Sequence, residues 1–215
     1  MPNSFKFRFN ASEKIDSLFG RNANWAQNLD AANPGLFETN AKGQSPSILW
    51  IGCADSRASE AALDLLPGEV FTHRNVANLV PNCDSSSQSI IQLAMDTVGC
   101  RHIVVCGHTA CKGVQTVLQN QRLGGSLEAW LRNLRDVRAK YSKVLDPLPL
   151  SEQETRLVEF NVIEQVYNVR TNDIVQDHMR KRNVEVHGMV YDVATGLIRK
   201  LDIPEDPDYK YYAVK

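Results

Sequence analysis

The sequence has almost no net charge and no long apolar run, and each absence excludes a class of partner. Its 24 lysine and arginine residues balance 25 acidic residues, which gives a formal net charge of -1. A chain without a basic excess lacks the electrostatic field that attracts nucleic acid or an anionic membrane surface. No stretch approaches the roughly 18 consecutive apolar residues of a membrane span. We therefore expect neither a nucleic acid nor a membrane as partner.

Cysteine is also scarce, and the five residues form an odd set. Residues 1–10 lack the apolar centre of a secretory signal, so we expect reduced thiols and a cytoplasmic location. Lys6 and Arg8 faintly resemble a mitochondrial transit segment, but Glu13 and Asp16 follow directly. Three of the cysteines are interpreted as structural residues: Cys83, Cys100 and Cys106.

The chain contains neither internal repeats nor the glycine-rich signatures of nucleotide-binding loops. It has instead an alternation of short, apolar, β-rich runs with helical patterns. This alternation predicts an α/β fold: a mainly parallel central β-sheet with flanking helices and an antiparallel hairpin at its C-terminal edge. The length of 215 residues favours one domain, residues 1–215, with an N-terminal helical arm over 1–34 and a C-terminal tail over 204–215.

Local signals also predict how two of the helices begin. Apolar residues at helical spacing near the N-terminus predict an amphipathic helix that Ser12 caps and Gly20 interrupts. Ser151-x-x-Glu154 predicts a capping box at the start of a later helix. Because the N-terminal helix precedes the first core strand, we expect it to pack on a neighbouring subunit. The alternative is that it covers one face of its own sheet.

Two polar motifs each follow a β-rich run. Gly52-Cys53-Ala54-Asp55-Ser56-Arg57 follows the first, and Gly107-His108-Thr109-Ala110-Cys111 follows the second. Thiolate and imidazole are ligands that Zn²⁺ prefers, and two Cys with one His leave the fourth tetrahedral position open, as in a catalytic site. The sequence therefore predicts a zinc site formed by Cys53, His108 and Cys111.

Asp55 and Arg57 extend the predicted zinc site. Asp55 follows the first thiolate by two residues, close enough to accept a hydrogen bond from a water molecule at the open position. The guanidinium of Arg57 can bind the same carboxylate and keep it ionised. We interpret this pair as catalytic. The remaining histidines have no partner at comparable spacing and are interpreted as structural: His73, His102, His178 and His187.

Other zinc enzymes use two Cys and one His, notably alcohol dehydrogenases and base deaminases. The first class requires a dinucleotide-binding signature, and the second requires His-x-Glu with Pro-Cys-x-x-Cys. Neither pattern occurs in this sequence, so both classes are excluded.

With these motifs the chain resembles the β-class carbonic anhydrases, which carry Cys-x-Asp-x-Arg followed by His-x-x-Cys. Residues 41–46 and 73–78 match family segments as well, and residues 161–166 have a fungal character. The likeness extends from about residue 25 to about residue 201. The resemblance implies a zinc-dependent enzyme that reversibly hydrates CO₂ to bicarbonate and a proton.

The resemblance also implies further site residues and an assembly. Gln44, nine residues before Cys53, would hold an oxygen of CO₂ or bicarbonate, and Phe71 would wall the pocket. A homodimer or homotetramer is implied in the same way. Two alternatives stay open: a non-catalytic, zinc-stabilised oligomer that binds bicarbonate, and hydrolysis of carbonyl sulfide or carbon disulfide by the same residues.

Two positions depart from the family pattern. Lys112 follows the second zinc cysteine, where the family usually has Gly, and Leu93 stands where the family usually has Tyr. The helix dipole disfavours a cation in the first turn, unless the long stem of Lys112 carries its ammonium group into water. Leu93 would remove a phenol from the pocket wall. We expect these changes to spare zinc binding and to slow turnover.

Overall fold

The computed structural model describes residues 7–214, which divide between Gly43 and Gln44 into two compact units. The first unit contains α1 (Ser17–Ala32) and α2 (Leu36–Lys42), joined through Gly35 in the left-handed conformation. Trp25 of α1 meets Phe37 of α2 edge to face, with ring centroids 6.0 Å apart. Neither helix buries a residue. The apolar side chains of these two helices therefore all stay at least partly exposed.

The predicted cap and break of the first helix were wrong. α1 begins at Ser17, and the hydroxyl of Ser12 instead donates a hydrogen bond to Asn10 within a preceding turn, 2.6 Å from its Oδ1. Gly20 lies inside α1 without ending it. A glycine costs a helix only about 1 kcal/mol relative to alanine, which the neighbouring helical residues can offset.

A five-stranded sheet in the order β2-β1-β3-β4-β5 organises the second unit. β1 pairs in parallel with β2 and β3, β3 pairs in parallel with β4, and β5 is antiparallel to β4. This topology confirms the predicted mainly parallel sheet with an antiparallel edge hairpin. The strands are β1 (Ile48–Cys53), β2 (Val70–Asn75), β3 (His102–His108), β4 (Glu185–Tyr191) and β5 (Ile198–Leu201).

The sheet buries apolar side chains on both faces, as expected for central parallel strands. Leu49 and Ile51 of β1 belong to the larger core on one face. Trp50 lies on the other face in a smaller cluster with Val104 and Cys106 of β3. The continuous apolar run of β1 is thus explained by burial from both sides. Within β1, only the last residue, Cys53, therefore has a side chain that can bind a metal.

Helices of the second unit cover the larger core. α7 packs against β3 and β4, and this close approach requires glycine in both strands. A Cβ atom at Gly107 would lie 2.8 Å from the side chain of Val162, and one at Gly188 would lie 2.9 Å from the same residue. The helices are α3 (Ser85–Gln92), α4 (Lys112–Leu118), α5 (Gly125–Lys140), α6 (Ser142–Leu145), α7 (Leu150–Thr171), α8 (Asp173–Arg182) and α9 (Tyr209–Tyr212).

Several segments of this unit are not α-helical. One 3₁₀ turn spans Glu60–Leu63, and a second one spans Val76–Asn78. α3 continues into a π-helical turn at Leu93–Val98, which ends at Gly99 in the left-handed conformation. Among residues 7–214, no helix is both long enough and apolar enough to cross a membrane.

The predicted capping box of α7 was also wrong. The helix begins at Leu150 directly after Pro149, and no side chain caps it. Pro149 occupies the cap position, and its carbonyl oxygen accepts hydrogen bonds from the N–H groups of Glu152 and Gln153. Ser151 therefore lies inside the first turn and cannot cap the helix. The carboxylate of Glu154 instead accepts a hydrogen bond from Nε2 of Gln115 at 3.2 Å.

The C-terminal tail packs on its own chain. Nε2 of Gln176, in α8, donates to the carbonyl oxygen of Tyr212 at 3.1 Å. The backbone N–H of Val214 donates back to Oε1 of Gln176 at 2.9 Å. Gln176 is buried, so these bonds satisfy a polar group that would otherwise be costly.

Candidate active site

The three predicted metal ligands converge at one edge of the sheet. Cys53 is the last residue of β1, His108 is the last residue of β3, and Cys111 directly precedes α4. Because β1 and β3 are parallel neighbours, their carboxyl ends meet at the same edge. The two sulfurs and an imidazole nitrogen all lie within 4.8 Å of one another, and all three residues are buried. The spacing of these residues in the sequence therefore correctly predicted that their side chains lie together.

The imidazole of His108 is oriented as a metal ligand requires. Its Nδ1 lies 2.9 Å from the carbonyl oxygen of Thr109, to which Nδ1–H can donate. This bond leaves the lone pair on Nε2, which is buried and has no hydrogen-bond partner among the described residues. A buried nitrogen without a partner is costly unless a ligand satisfies it. The donor set thus fits a metal ion held by two sulfurs and one nitrogen.

The thiols of Cys53 and Cys111 shift each other's pKa in opposite directions. A hydrogen bond between Cys53 and Cys111 lowers the pKa of Cys53 and raises the pKa of Cys111, while burial opposes charge on both sulfurs. Burial alone would lower the pKa of His108, but the neighbouring Cys53 outweighs it and raises the pKa. A divalent cation bound here would displace these protons, because metal ligands are deprotonated.

Strained backbone supports the Cys53 sulfur. Ala77 and Asn78 adopt positive φ angles of 64° and 48°, uncommon for residues other than glycine. In this conformation the N–H of Ala77 points at Cys53 Sγ, 3.4 Å away. Nδ2 of Asn161, in α7, donates to the carbonyl oxygen of Ala77 at 2.9 Å, and Gln165 donates to Asn161 at 3.1 Å. α7 therefore holds the strained segment against the metal site.

Asp55 and Arg57 form the predicted pair. Nε of Arg57 lies 3.0 Å from Oδ1 of Asp55, and Nη2 lies 2.7 Å from Oδ2. These hydrogen bonds hold the pKa of Asp55 well below its usual range, so the carboxylate is ionised. Nη2 of Arg57 also donates to the carbonyl oxygen of Ala110, between the two ligands of the second motif, at 3.0 Å. Oδ2 of Asp55 lies 3.9 Å from Nε2 of His108.

Arg74 is a site residue to which the sequence analysis assigned no role. Its Nε donates to the carbonyl oxygen of Cys53 at 2.8 Å. Its Nη2 donates to the carbonyl oxygens of Asp55 and Ala58 at 2.6 and 2.7 Å. Arg74 thus clamps the loop that presents the first ligand and the carboxylate. Its partners are backbone carbonyls, which no side-chain spacing reveals.

The structure does not bring Gln44 and Phe71 to the ligands of the same chain. Gln44 is exposed and precedes β1, whereas Cys53 ends that strand. A six-residue strand spans roughly 20 Å, so the two residues lie at opposite ends of the sheet. Phe71 pairs in register with Leu49 near the start of β1 and packs against the larger core. Both substrate-binding assignments therefore stay predictions.

The two departures from the family pattern lie at the surface. Lys112 is the first residue of α4 and is exposed, so its ammonium group can reach water. The neighbouring Gly113 lies in a crowded position, because a Cβ there would lie 3.3 Å from that of Ala77. Leu93 opens the π-helical turn and is 42% exposed. Both side chains are exposed to solvent and do not enclose the site of their own chain.

The fold and the site together define a class. An α/β sheet carries a Cys₂His donor set at its carboxyl edge, beside an ionised carboxylate held by arginine, as in a catalytic metalloprotein with one open position. The family profile described as carbonic anhydrase matches residues 48–198. The chain belongs to the carbonic anhydrase family, and its similarity to solved structures places it in the β class.

The most informative relatives are fungal. A carbonic anhydrase of Emericella nidulans is 43% identical over 191 residues, covering 87% of this chain and 83% of the relative. One from Candida albicans is 38% identical over 207 residues, covering 95% and 74%. The structure of a β-carbonic anhydrase of Aspergillus fumigatus superimposes with a TM-score of 0.89 at 40% identity, covering 93% of this chain and 97% of that chain.

A further structural relative bears on assembly. A structure described among two tetrameric β-carbonic anhydrases of Sordaria macrospora superimposes with a TM-score of 0.83 at 37% identity. It covers 86% of this chain and 95% of that chain. The similarity spans nearly all of a protein that assembles with copies of itself.

Proposed function

We propose that this chain is a zinc-dependent carbonic anhydrase that reversibly hydrates CO₂ to bicarbonate and a proton. The observation that carries the proposal is the convergence of Cys53, His108 and Cys111, with Nε2 of His108 buried and unpaired, beside Asp55. These three residues would hold the zinc ion. When bound, zinc would supply Lewis acidity and lower the pKa of a water molecule in its fourth position.

The residues of this chain would position that water. Asp55 is ionised and can only accept hydrogen bonds, so it would orient the water by accepting a hydrogen bond from it. Arg57 would keep the carboxylate charged and fixed in direction through its two parallel hydrogen bonds. The thiolates of Cys53 and Cys111 neutralise more of the metal charge than imidazoles would. We therefore expect activity to rise toward alkaline pH.

Assembly is part of the same proposal. Gln44 and Phe71 lie too far along the sheet from Cys53 to serve the site of their own chain. They would serve the site of a second copy in a homodimer or homotetramer, and residues 1–34 would act as an arm of one catalytic domain. The exposed aromatic residues of α1 and the tetrameric relative from Sordaria macrospora support this arrangement.

A cytoplasmic location is also proposed. It is supported by the cysteines, all five of which are free thiols, as expected in a reducing compartment. One relative, from Arabidopsis thaliana, is named a mitochondrial β carbonic anhydrase, so mitochondria are the competing location. Microscopy of the tagged chain beside a mitochondrial marker would separate the two.

The experiment that tests the reaction is stopped-flow CO₂ hydration on protein of measured zinc content. The parent should hold about one zinc per chain at the Cys₂His site and hydrate CO₂ well above the buffer rate. Cys111→Ser should lose most of the zinc and the activity. Cys100→Ser is the matched control, because Cys100 is buried but belongs to no ligand set. A fully zinc-loaded parent with no activity above buffer would refute the proposed reaction and favour a non-catalytic role.

A further inference from the structure

A second group of metal-ligating side chains lies at the opposite end of the sheet from Cys53. His102 is the first residue of β3, whereas His108 is its last, so the two histidines lie about 20 Å apart along the strand. His102 pairs in register with Glu185 of β4, and Val104 pairs with His187. Alternate residues of a strand share a face, so β4 places Glu185 and His187 on the face of His102.

The distances among these three side chains are those of a metal coordination sphere. Nδ1 of His102 lies 3.2 Å from Nε2 of His187. Oε2 of Glu185 lies 3.3 Å from that nitrogen and 3.8 Å from Nδ1 of His102. Tetrahedral zinc ligands at bond lengths near 2.1 Å are separated by about 3.4 Å. The nearest point equidistant from the three atoms lies about 2.0 Å from each, which is the length of a Zn–N or Zn–O bond.

We infer that His102, Glu185 and His187 form a second metal site, which takes a divalent transition-metal ion such as Zn²⁺. A hydrogen bond between the two imidazoles explains only the shortest of the three distances. It does not explain why a carboxylate oxygen converges on both nitrogens. Two imidazoles and one carboxylate are a known zinc ligand set, and imidazole ligands disfavour Mg²⁺ and Ca²⁺.

The surroundings allow a metal ion to enter. The side chains of His102 and Glu185 are 44% and 62% exposed, so solvent reaches the open side of the group and can supply a fourth ligand. Burial lowers the pKa of His187, and the nearby Lys200 lowers it further. A lowered pKa favours the neutral ring, which is the form that binds a metal. Lys200 and Arg170 also oppose an incoming cation, so this site should bind more weakly than the Cys₂His site.

The metal would join the amino ends of two neighbouring strands. β3 contributes one ligand and β4 contributes two, so binding should stabilise this part of the fold by mass action. The inference does not depend on catalysis, because none of its residues belongs to the Cys53 site.

Zinc titration tests the site. The tag-free holoprotein, dialysed so that only tightly held zinc remains, would be titrated with Zn²⁺ against a fluorescent zinc indicator. We expect uptake of a second equivalent per chain, unaffected by excess Mg²⁺. Glu185→Gln and His187→Gln should weaken this second equivalent by at least about tenfold while retaining the first. Unchanged thermal midpoints without added zinc would show that both variants fold.

His178→Gln is the matched control, because Nε2 of His178 bonds one carboxylate, that of Asp96 at 2.8 Å, without a second histidine. It should take up zinc as the parent does, and Cys111→Ser should lose the first equivalent while keeping the second. A parent that binds no second equivalent would overturn the inference. So would Glu185→Gln and His187→Gln variants that retain it at the affinity of the parent.

Discussion

Arg57 controls the carboxylate of Asp55 through two side-chain hydrogen bonds of 3.0 and 2.7 Å. Arg57→Gln should keep zinc bound but leave the carboxylate free to rotate toward the metal. A misplacement of about 1 Å in a catalytic group can cost about 100-fold in rate, and we expect a loss of that order in CO₂ hydration. Stopped-flow assays at equal zinc content would measure it.

A conservative variant and a control outside the site help to interpret the effect of Arg57→Gln. Arg57→Lys keeps the charge but not the two-pronged geometry, so it should recover only part of the rate. Arg156→Gln removes a similar surface pair with Glu159, 3.0 Å long and outside the site, and should leave the rate unchanged. A parent-like rate for Arg57→Gln would show that Asp55 needs no orienting partner.

The sequence was sufficient to predict that Cys53, His108 and Cys111 converge, but not the residues that support them. Cys53, His108 and Cys111 are recognisable because ligand chemistry and spacing coincide at two strand ends. Arg74 and Ala77 act through backbone atoms, and the left-handed conformation of Ala77 violates the usual preference of its residue type. Such positions are set by tertiary contacts, which local sequence patterns do not encode.

At the scale of elements, α7 supports the site through Asn161. Asn161→Ala would leave the carbonyl of Ala77 and the amide of Gln165 without their buried partner. We expect a loss of about 1–3 kcal/mol in the free energy of unfolding, together with weaker zinc binding, because Ala77 would no longer be held at the Cys53 sulfur. Thermal unfolding and competition with a zinc chelator would measure the two effects.

The control for Asn161 is Asn133→Ala. Asn133 is half-buried in α5 and donates only within its own helix among the described contacts, to the carbonyl of Trp130 at 2.9 Å. Its loss should leave zinc affinity unchanged. If Asn161→Ala weakens the fold yet binds zinc as the parent does, the strained segment does not support the metal site.

Asp84 caps α3 by accepting hydrogen bonds from the N–H groups of Ser86 and Ser87, at 3.4 and 3.0 Å. Asp84→Ala should cost about 1 kcal/mol, or a few degrees in thermal midpoint, whereas Asp84→Asn should retain most of the cap. Burial would raise the pKa of Asp84, but the bonds from the two serines lower it below 3.8. The cost should therefore persist from pH 7 to about pH 5 and shrink only as the pH falls below 3.8. A cost that disappears already near pH 5 would contradict this pKa direction.

The alternation of helices and strands was predictable, whereas the starts of α1 and α7 were not. Apolar periodicity depends on many residues and survives local exceptions, so the alternation of strands and helices was correctly predicted. A cap depends on a single side chain. Pro149 began α7 before Ser151 could cap it, although Asp84 did cap α3. A capping residue therefore sets the start of a helix only where no residue before it already begins that helix.

At the scale of the whole molecule, the first unit exposes aromatic side chains that a second copy could cover. Phe19 of α1 is 72% exposed and Trp25 is 49% exposed. We expect the parent to sediment as a dimer or larger assembly at micromolar concentration. Phe19→Asp combined with Trp25→Asp should shift it toward the monomer, because a charge buried at an interface is costly. Tyr211→Asp, which changes an equally exposed aromatic residue in the tail, is the control.

Gln44 would link assembly to catalysis. Gln44 and Cys53 lie at opposite ends of β1, so a role for Gln44 in catalysis requires the site of another chain. Gln44→Ala should bind zinc but hydrate CO₂ slowly, and Cys53→Ser should bind little zinc. In a mixed dimer, the Gln44→Ala chain still supplies intact zinc ligands, and the Cys53→Ser chain supplies an intact Gln44. Mixing the two variants under conditions of subunit exchange should therefore raise activity above the sum of the separate preparations. Activity equal to that sum, with exchange verified by mass spectrometry, would show that Gln44 does not act across a subunit boundary.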